Sequence, residues 1–165
     1  MNTSFVNRLA PLVLGVTVIA GTFSAKAEAP YGRSPFIGTW VLTIAPPGPV
    51  SPYMTVATFA HGGTTTGTPP EKAPPPVVSL GDLYGVWAHA GDGTYASTIV
   101  GYTYDANGAI NGTIKFNNSY TLISKDQLEG ISQYLVCDLN LVCSEPTPDS
   151  VKLSGTRLKI QPIKR

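Results

Sequence analysis

His61 and His89 are the only imidazoles in the chain, and each stands beside a glycine-rich turn. A catalytic pair of this kind needs both rings in one cavity, with a carboxylate orienting one of them. Asp92 follows His89 by three residues, which makes His89 and Asp92 the candidate catalytic acid–base pair. The alternative is two turn-flanking imidazoles that cap local backbone groups. Asp105-Ala106-Asn107-Gly108 begins like a calcium loop but lacks the later liganding acids and bidentate glutamate, so it reads as a turn. Two cysteines and two histidines do not make a zinc spacing, and neither a metal nor a cofactor is expected. Tyrosine is more suggestive. Tyr84, Tyr102, Tyr104, Tyr120 and Tyr134 fall on predicted strands, and those that face inward would line a cavity with rings and hydroxyls. Asp82 lies just before Tyr84, as a polar anchor for a ligand or as a solvated turn residue.

The elements that must position these residues are strands. No window carries a 3.6-residue apolar stripe, whereas period-two alternation recurs. Ile110, Gly112, Ile114, Phe116, Asn118, Tyr120 and Leu122 form one inward row, and Phe36, Gly38, Trp40, Leu42 and Ile44 another. Eight strands are predicted, at 36–44, 53–60, 63–68, 84–90, 94–104, 109–123, 127–137 and 151–161. Tight turns at 61–63, 90–93, 105–108 and 124–126 join most of them, and Asn107-Gly108 is a strong hairpin signal. Residues 45–52 hold four prolines and residues 69–76 hold five, so those connections are long and stiff. After Gly130 the apolar row shifts from Leu128 to Ile131 and Leu135. Around Gly155 it shifts from Val151 and Leu153 to Leu158 and Ile160. Such glycines suggest bulges and a curved sheet. The expectation is an all-β, single-domain, antiparallel up-and-down β-barrel of about eight strands over residues 36–165, with a β-sandwich as the alternative.

Upstream, Arg8 begins a weakly basic region, Leu9 to Phe23 is an apolar run, and Ala25-Lys26-Ala27 supplies a small-x-small cleavage site. Residues 1–27 therefore read as a signal peptide, too short to span a bilayer, followed by an N-terminal lead at 28–35. Export to the periplasm or the exterior follows, with no stable membrane anchor after cleavage. The oxidising compartment predicts a disulfide between Cys137 and Cys143, which flank a turn-like segment. Without Arg8 and Lys26 the chain keeps nine basic against ten acidic residues, which offers nucleic acid no basic stripe. Oligomeric state leaves no mark on the pattern.

Meander topology sorts the connections into two ends. The proline-rich loops 45–52 and 69–82, the Asn107-Gly108 turn and the 138–150 segment share one end, and the turns at 61–63, 90–93 and 124–126 share the other. The long-loop rim is the expected mouth and the tight-turn end the floor. Gly38-Thr39-Trp40, early on the first strand, resembles the Gly-x-Trp signature of the lipocalin and avidin-like (calycin) barrels. That resemblance implies a tryptophan packed across the closed end with a matching arginine, for which Arg157 is the candidate. It also implies the binding of a small molecule. The expected function is thus a secreted barrel that takes a small apolar or aromatic ligand at Tyr84, Tyr102, Tyr104 and Asp82. The alternatives are a cofactor-independent lyase, isomerase or cyclase on the same scaffold, and a structural or interaction module. An ionisable pair inside the cavity favours the enzyme, an apolar cavity the binder and a filled barrel the module.

Overall fold

The computed structural model describes residues 34–70, 73–74, 76–147 and 150–161, so the expected leader at 1–27 and residues 28–33 of the lead lie outside the described residues. The strands are β1 (Gly38–Ala45), β2 (Tyr53–Phe59), β3 (Thr64–Gly67), β4 (Ser79–Gly91), β5 (Thr94–Tyr104), β6 (Ile110–Ser124), β7 (Gln127–Cys137) and β8 (Val151–Arg157). Each pairs antiparallel with its chain neighbour, and β1 closes on β8, giving an up-and-down barrel rather than a sandwich. Closure removes the exposed edges that an open sheet would present.

Alternation sets the two faces. Ile114, Asn118 and Tyr120 of β6 are buried inside, while Asn117, Ser119 and Thr121 are exposed on the outer wall. Trp40 and Leu42 of β1 and Ala57 and Phe59 of β2 likewise face in. β4 starts five residues before the predicted Tyr84, because a bulge between Leu80 and Leu83 lets the strand run on toward the proline-rich loop. β8 stops at Arg157, leaving Leu158 and Ile160 exposed.

The expected phase changes at Gly130 and Gly155 do not occur. β7 keeps an unbroken register against β6 from Leu128 to Cys137, so Gly130 stays on the inner row and Ile131 is exposed on the wall. Gly155 also faces in, opposite Leu42 and Leu128. The reason is steric. A Cβ on Gly130 would stand 2.2 Å from the Ser119 carbonyl oxygen, and one on Gly155 would stand 2.7 Å from Leu42 Cδ2. Inward glycines let the strands approach closely where the sheet coils, and the missing side chain imitates a phase flip in the pattern.

One end is closed by tight turns and the other is framed by loops. Cys137 and Cys143 form a disulfide at the loop end, with Cα atoms 3.9 Å apart. Loop-closure entropy for so short a ring is worth about 2 kcal/mol, enough to pin the hairpin and little more.

Candidate functional site

The tight-turn end is sealed by rings. Phe36, on the lead before β1, is wholly buried, stacks on Tyr95 at 4.3 Å and lies 4.2 Å from Phe59. Trp87 and Tyr120 each stand 5.3 Å from it, measured between ring centroids. The Trp40 indole donates to the Phe36 carbonyl at 3.0 Å, and the Trp87 indole donates to the Ala60 carbonyl at 3.0 Å. Each buried indole N–H thereby has its partner. Arg157 covers this floor from outside. Its guanidinium lies 4.2 Å from the centre of the Trp40 ring, donates from Nη1 to the Ile37 carbonyl at 2.6 Å and from Nε to the Lys125 carbonyl at 2.8 Å, and also reaches the Pro35 carbonyl. Gly38 leaves room for it, since a Cβ there would sit 2.4 Å from Nη1 at a φ of +142°.

Above the floor the side chains enclose a cavity. A cavity of about 340 Å³ runs from Tyr120, Leu42 and Leu153 up past Ile99, Phe116 and Ser132 to a rim of Pro46, Pro47, Val50, Pro70 and Pro74. Its volume is about twice that of the ~150 Å³ apolar cavity that takes one benzene, which corresponds to about ten to fifteen non-hydrogen atoms. Among the described residues that line it there is no Asp, Glu, His, Lys, Arg or Cys. Polar atoms come from Tyr53, Thr55, Asn118, Tyr120, Ser132, Tyr134 and Thr147. Thr55 Oγ1 is spent on the Thr68 carbonyl at 2.5 Å. Burial pushes the Tyr120 phenol well above its ordinary range, although its bond to Ser97 works against that. Burial also raises Tyr53, with Tyr134 adding to the shift. Both phenols remain protonated donors at neutral pH.

The residues singled out in the sequence are distributed differently. Tyr84 and Tyr102 are 61% and 56% exposed on the outer wall, Tyr104 is half-buried against Gly81, and Asp82 is exposed in the β4 bulge; none of the four lines the cavity. A single extra residue causes this. Counted straight back from the Asn107-Gly108 turn, Tyr102 would pair with inward Gly112. The register slips between Thr103 and Tyr104, so Thr103 pairs with Gly112, and Asn111 is the surplus residue, bonded to Thr103 Oγ1 at 2.7 Å. One such slip moves every side chain of β5 to the other face. Tyr120 and Tyr134 do line the cavity, together with Tyr53, which is not among the candidate tyrosines although it heads the predicted strand at 53–60. His61 and His89 are exposed at the floor end, Asp92 occupies the turn there at a φ of 49°, and no hydrogen bond joins His89 to Asp92. The Asp105 carboxylate accepts from the backbone N–H groups of Asn107 at 2.8 Å and Ala109 at 2.9 Å, as a turn residue does. Among the described residues no cluster of His, Cys, Asp or Glu is arranged to hold a metal, and no described helix is long and apolar enough to cross a membrane.

No protein-family model, curated protein or solved structure matches the chain.

Proposed function

We propose that the chain is an exported barrel that binds a small apolar or aromatic molecule inside the 340 Å³ cavity. The observation that carries this reading is the lining: apolar walls, a few neutral hydroxyl and amide groups, and no carboxylate, imidazole, amine, guanidinium or thiol among the described residues that line it. Small-molecule sites have this composition and begin at about this size. An enzyme of the lyase or isomerase kind would need a proton donor or acceptor near neutral pH, and the raised phenols of Tyr53 and Tyr120 serve poorly. The Cys137–Cys143 disulfide supports an oxidising compartment, and the charge balance supports a small ligand over a nucleic acid. The Trp40–Arg157 pair across the floor supports kinship with lipocalin and avidin-like barrels.

The test is a library of two-ring aromatic compounds screened by quenching of tyrosine and tryptophan fluorescence in the exported chain. Saturable one-to-one quenching is expected. Val151→Phe, which places a ring in the cavity, should weaken it about tenfold or more, whereas Tyr102→Ala on the outer wall should leave it unchanged. Quenching that survives Val151→Phe, or a library with no saturable hit, would overturn the reading.

A further inference from the structure

We infer that the cavity reads the head group of its ligand through a polar ladder on β5, β6 and β7, and that this head is an uncharged group able both to donate and to accept a hydrogen bond, such as a hydroxyl or a primary amide. The inference rests on the cavity reading above and deepens it. Ser97, Asn118 and Ser132 face inward at one level of the barrel, Ser97 opposite Asn118 and Asn118 opposite Ser132. They are 5%, 9% and 5% exposed. Buried hydroxyl and amide groups are costly unless hydrogen-bonded, so three in one row need a reason.

The bonds within the row supply half of it. Asn118 Nδ2 donates to Ser97 Oγ at 3.0 Å, and Ser97 Oγ shares a hydrogen bond with the Tyr120 hydroxyl at 3.3 Å. This holds the amide nitrogen toward β5 and turns Oδ1 away from it. Asn118 Oδ1 and Ser132 Oγ make no hydrogen bond to any described residue, and both residues line the cavity whereas Ser97 does not. Directly opposed residues keep their Cβ atoms about 5 Å apart, so one small group can meet both. A ligand hydroxyl or amide N–H donates to Asn118 Oδ1 and its oxygen accepts from Ser132 Oγ. The apolar remainder then extends toward Ile44, Val50 and the proline rim. A carboxylate or an ammonium finds no counter-charge among the described lining residues, and an unpaired charge is far more costly to bury than a neutral polar group.

Calorimetric titration of the exported chain at neutral pH with 2-naphthol, naphthalene and 2-naphthoate separates head group from ring. Two neutral hydrogen bonds should make 2-naphthol bind about tenfold tighter than naphthalene, with 2-naphthoate weaker than both. Ser132→Ala removes one of the two bonds and should cut the preference for 2-naphthol to about threefold while naphthalene binds as before, and Ser132→Thr, which keeps the hydroxyl, should restore it. Equal binding of 2-naphthol and naphthalene, or a preference that Ser132→Ala leaves undiminished, would overturn the ladder while leaving cavity binding intact. Tightest binding by 2-naphthoate would overturn the neutral head. No binding by any of the three would overturn the cavity reading and the ladder with it.

Discussion

Phe36→Ala tests whether the lead before β1 is part of the fold or a loose extension. Phe36 is wholly buried and lies within 6.2 Å of the Phe59, Tyr95, Trp87, Tyr120 and Trp40 rings. Truncating a buried phenylalanine costs about 3–5 kcal/mol in a core, and ring pairs add about 0.5–1.5 kcal/mol beyond burial. Against a total stability of about 5–15 kcal/mol, that is a large share. The floor does not collapse to recover it, because Trp40, Trp87 and Arg157 are each held by carbonyls fixed in the wall, the turn or the lead. At about 3–5 °C per kcal/mol for a domain of this size, the melting temperature should fall by about 10–20 °C. Urea unfolding followed by tryptophan fluorescence gives the free energy, and acrylamide quenching gives the exposure of Trp40. Phe36→Leu should recover more than half of the loss, since it refills most of the volume. A loss below about 1.5 kcal/mol with unchanged quenching would refute the reasoning and make residues 34–37 dispensable to the floor.

Two further outcomes follow from local geometry. Burial holds the Tyr53 and Tyr120 phenols protonated in the fold, above the pKa of 10.0 at which an unfolded tyrosine ionises. Stability should therefore be flat below about pH 9.5 and fall as pH rises beyond 10, by up to about 1.4 kcal/mol per pH unit for each phenol. Urea titrations should show a shallower decline for Tyr120→Phe, and identical slopes would contradict the burial argument. Leu141 sits at a φ of 63° in a turn built like Asp105–Ala109, where Gly108 holds that place at 79°. In both turns an aspartate Oδ1 caps two backbone N–H groups. Leu141 is 72% exposed and loses little burial, so Leu141→Gly should stabilise the chain by about 1 kcal/mol in the same assay. A decrease would show that the leucine side chain is held.

Strand existence and the two ends were legible because turn chemistry and proline content are local. Asn107-Gly108, the glycine turns at the floor and the proline runs at the mouth each act over a few residues, and the meander then sorts them without further information. The row on β6 was legible too, since Ile114, Phe116, Tyr120 and Leu122 contrast with Asn117, Ser119 and Thr121. β5 offers no such contrast. Tyr95, Ile99 and Thr103 alternate with Ala96, Val100 and Tyr102, two rows of similar polarity, so its phase had to come from pairing with β6. That pairing contains a bulge whose only mark is Asn111, an ordinary strand-end residue, and the slip sends Tyr102 outward, away from the cavity. The lead was the second blind spot. Phe36 reads as the first residue of a strand, whereas the chain there turns inward and plugs the floor, with Ile37 N–H donating to the Ser34 carbonyl at 3.2 Å.

What keeps the upper barrel open is a gradient of side-chain size along the inner rows. Near the floor the inward residues are Phe36, Trp40, Phe59, Trp87, Tyr95 and Tyr120, and together they leave no room. Higher up, the inner rows carry Ala57 on β2, Gly67 on β3, Asn118 on β6 and Ser132 on β7, with Ala57 opposite Gly67, Gly67 opposite Leu83 and Asn118 opposite Ser132. A cavity of 340 Å³ forgoes packing contacts that larger inward side chains would make. A barrel serving only as a scaffold gains by larger residues at Ala57 and Ser132, positions where the wall tolerates volume because it faces empty space. The floor shows that this chain packs aromatic rings densely where closure is wanted. On the proposed reading, the small and neutral polar residues directly above it leave space for a ligand, which would bring the missing atoms and a partner for Asn118 Oδ1 and Ser132 Oγ.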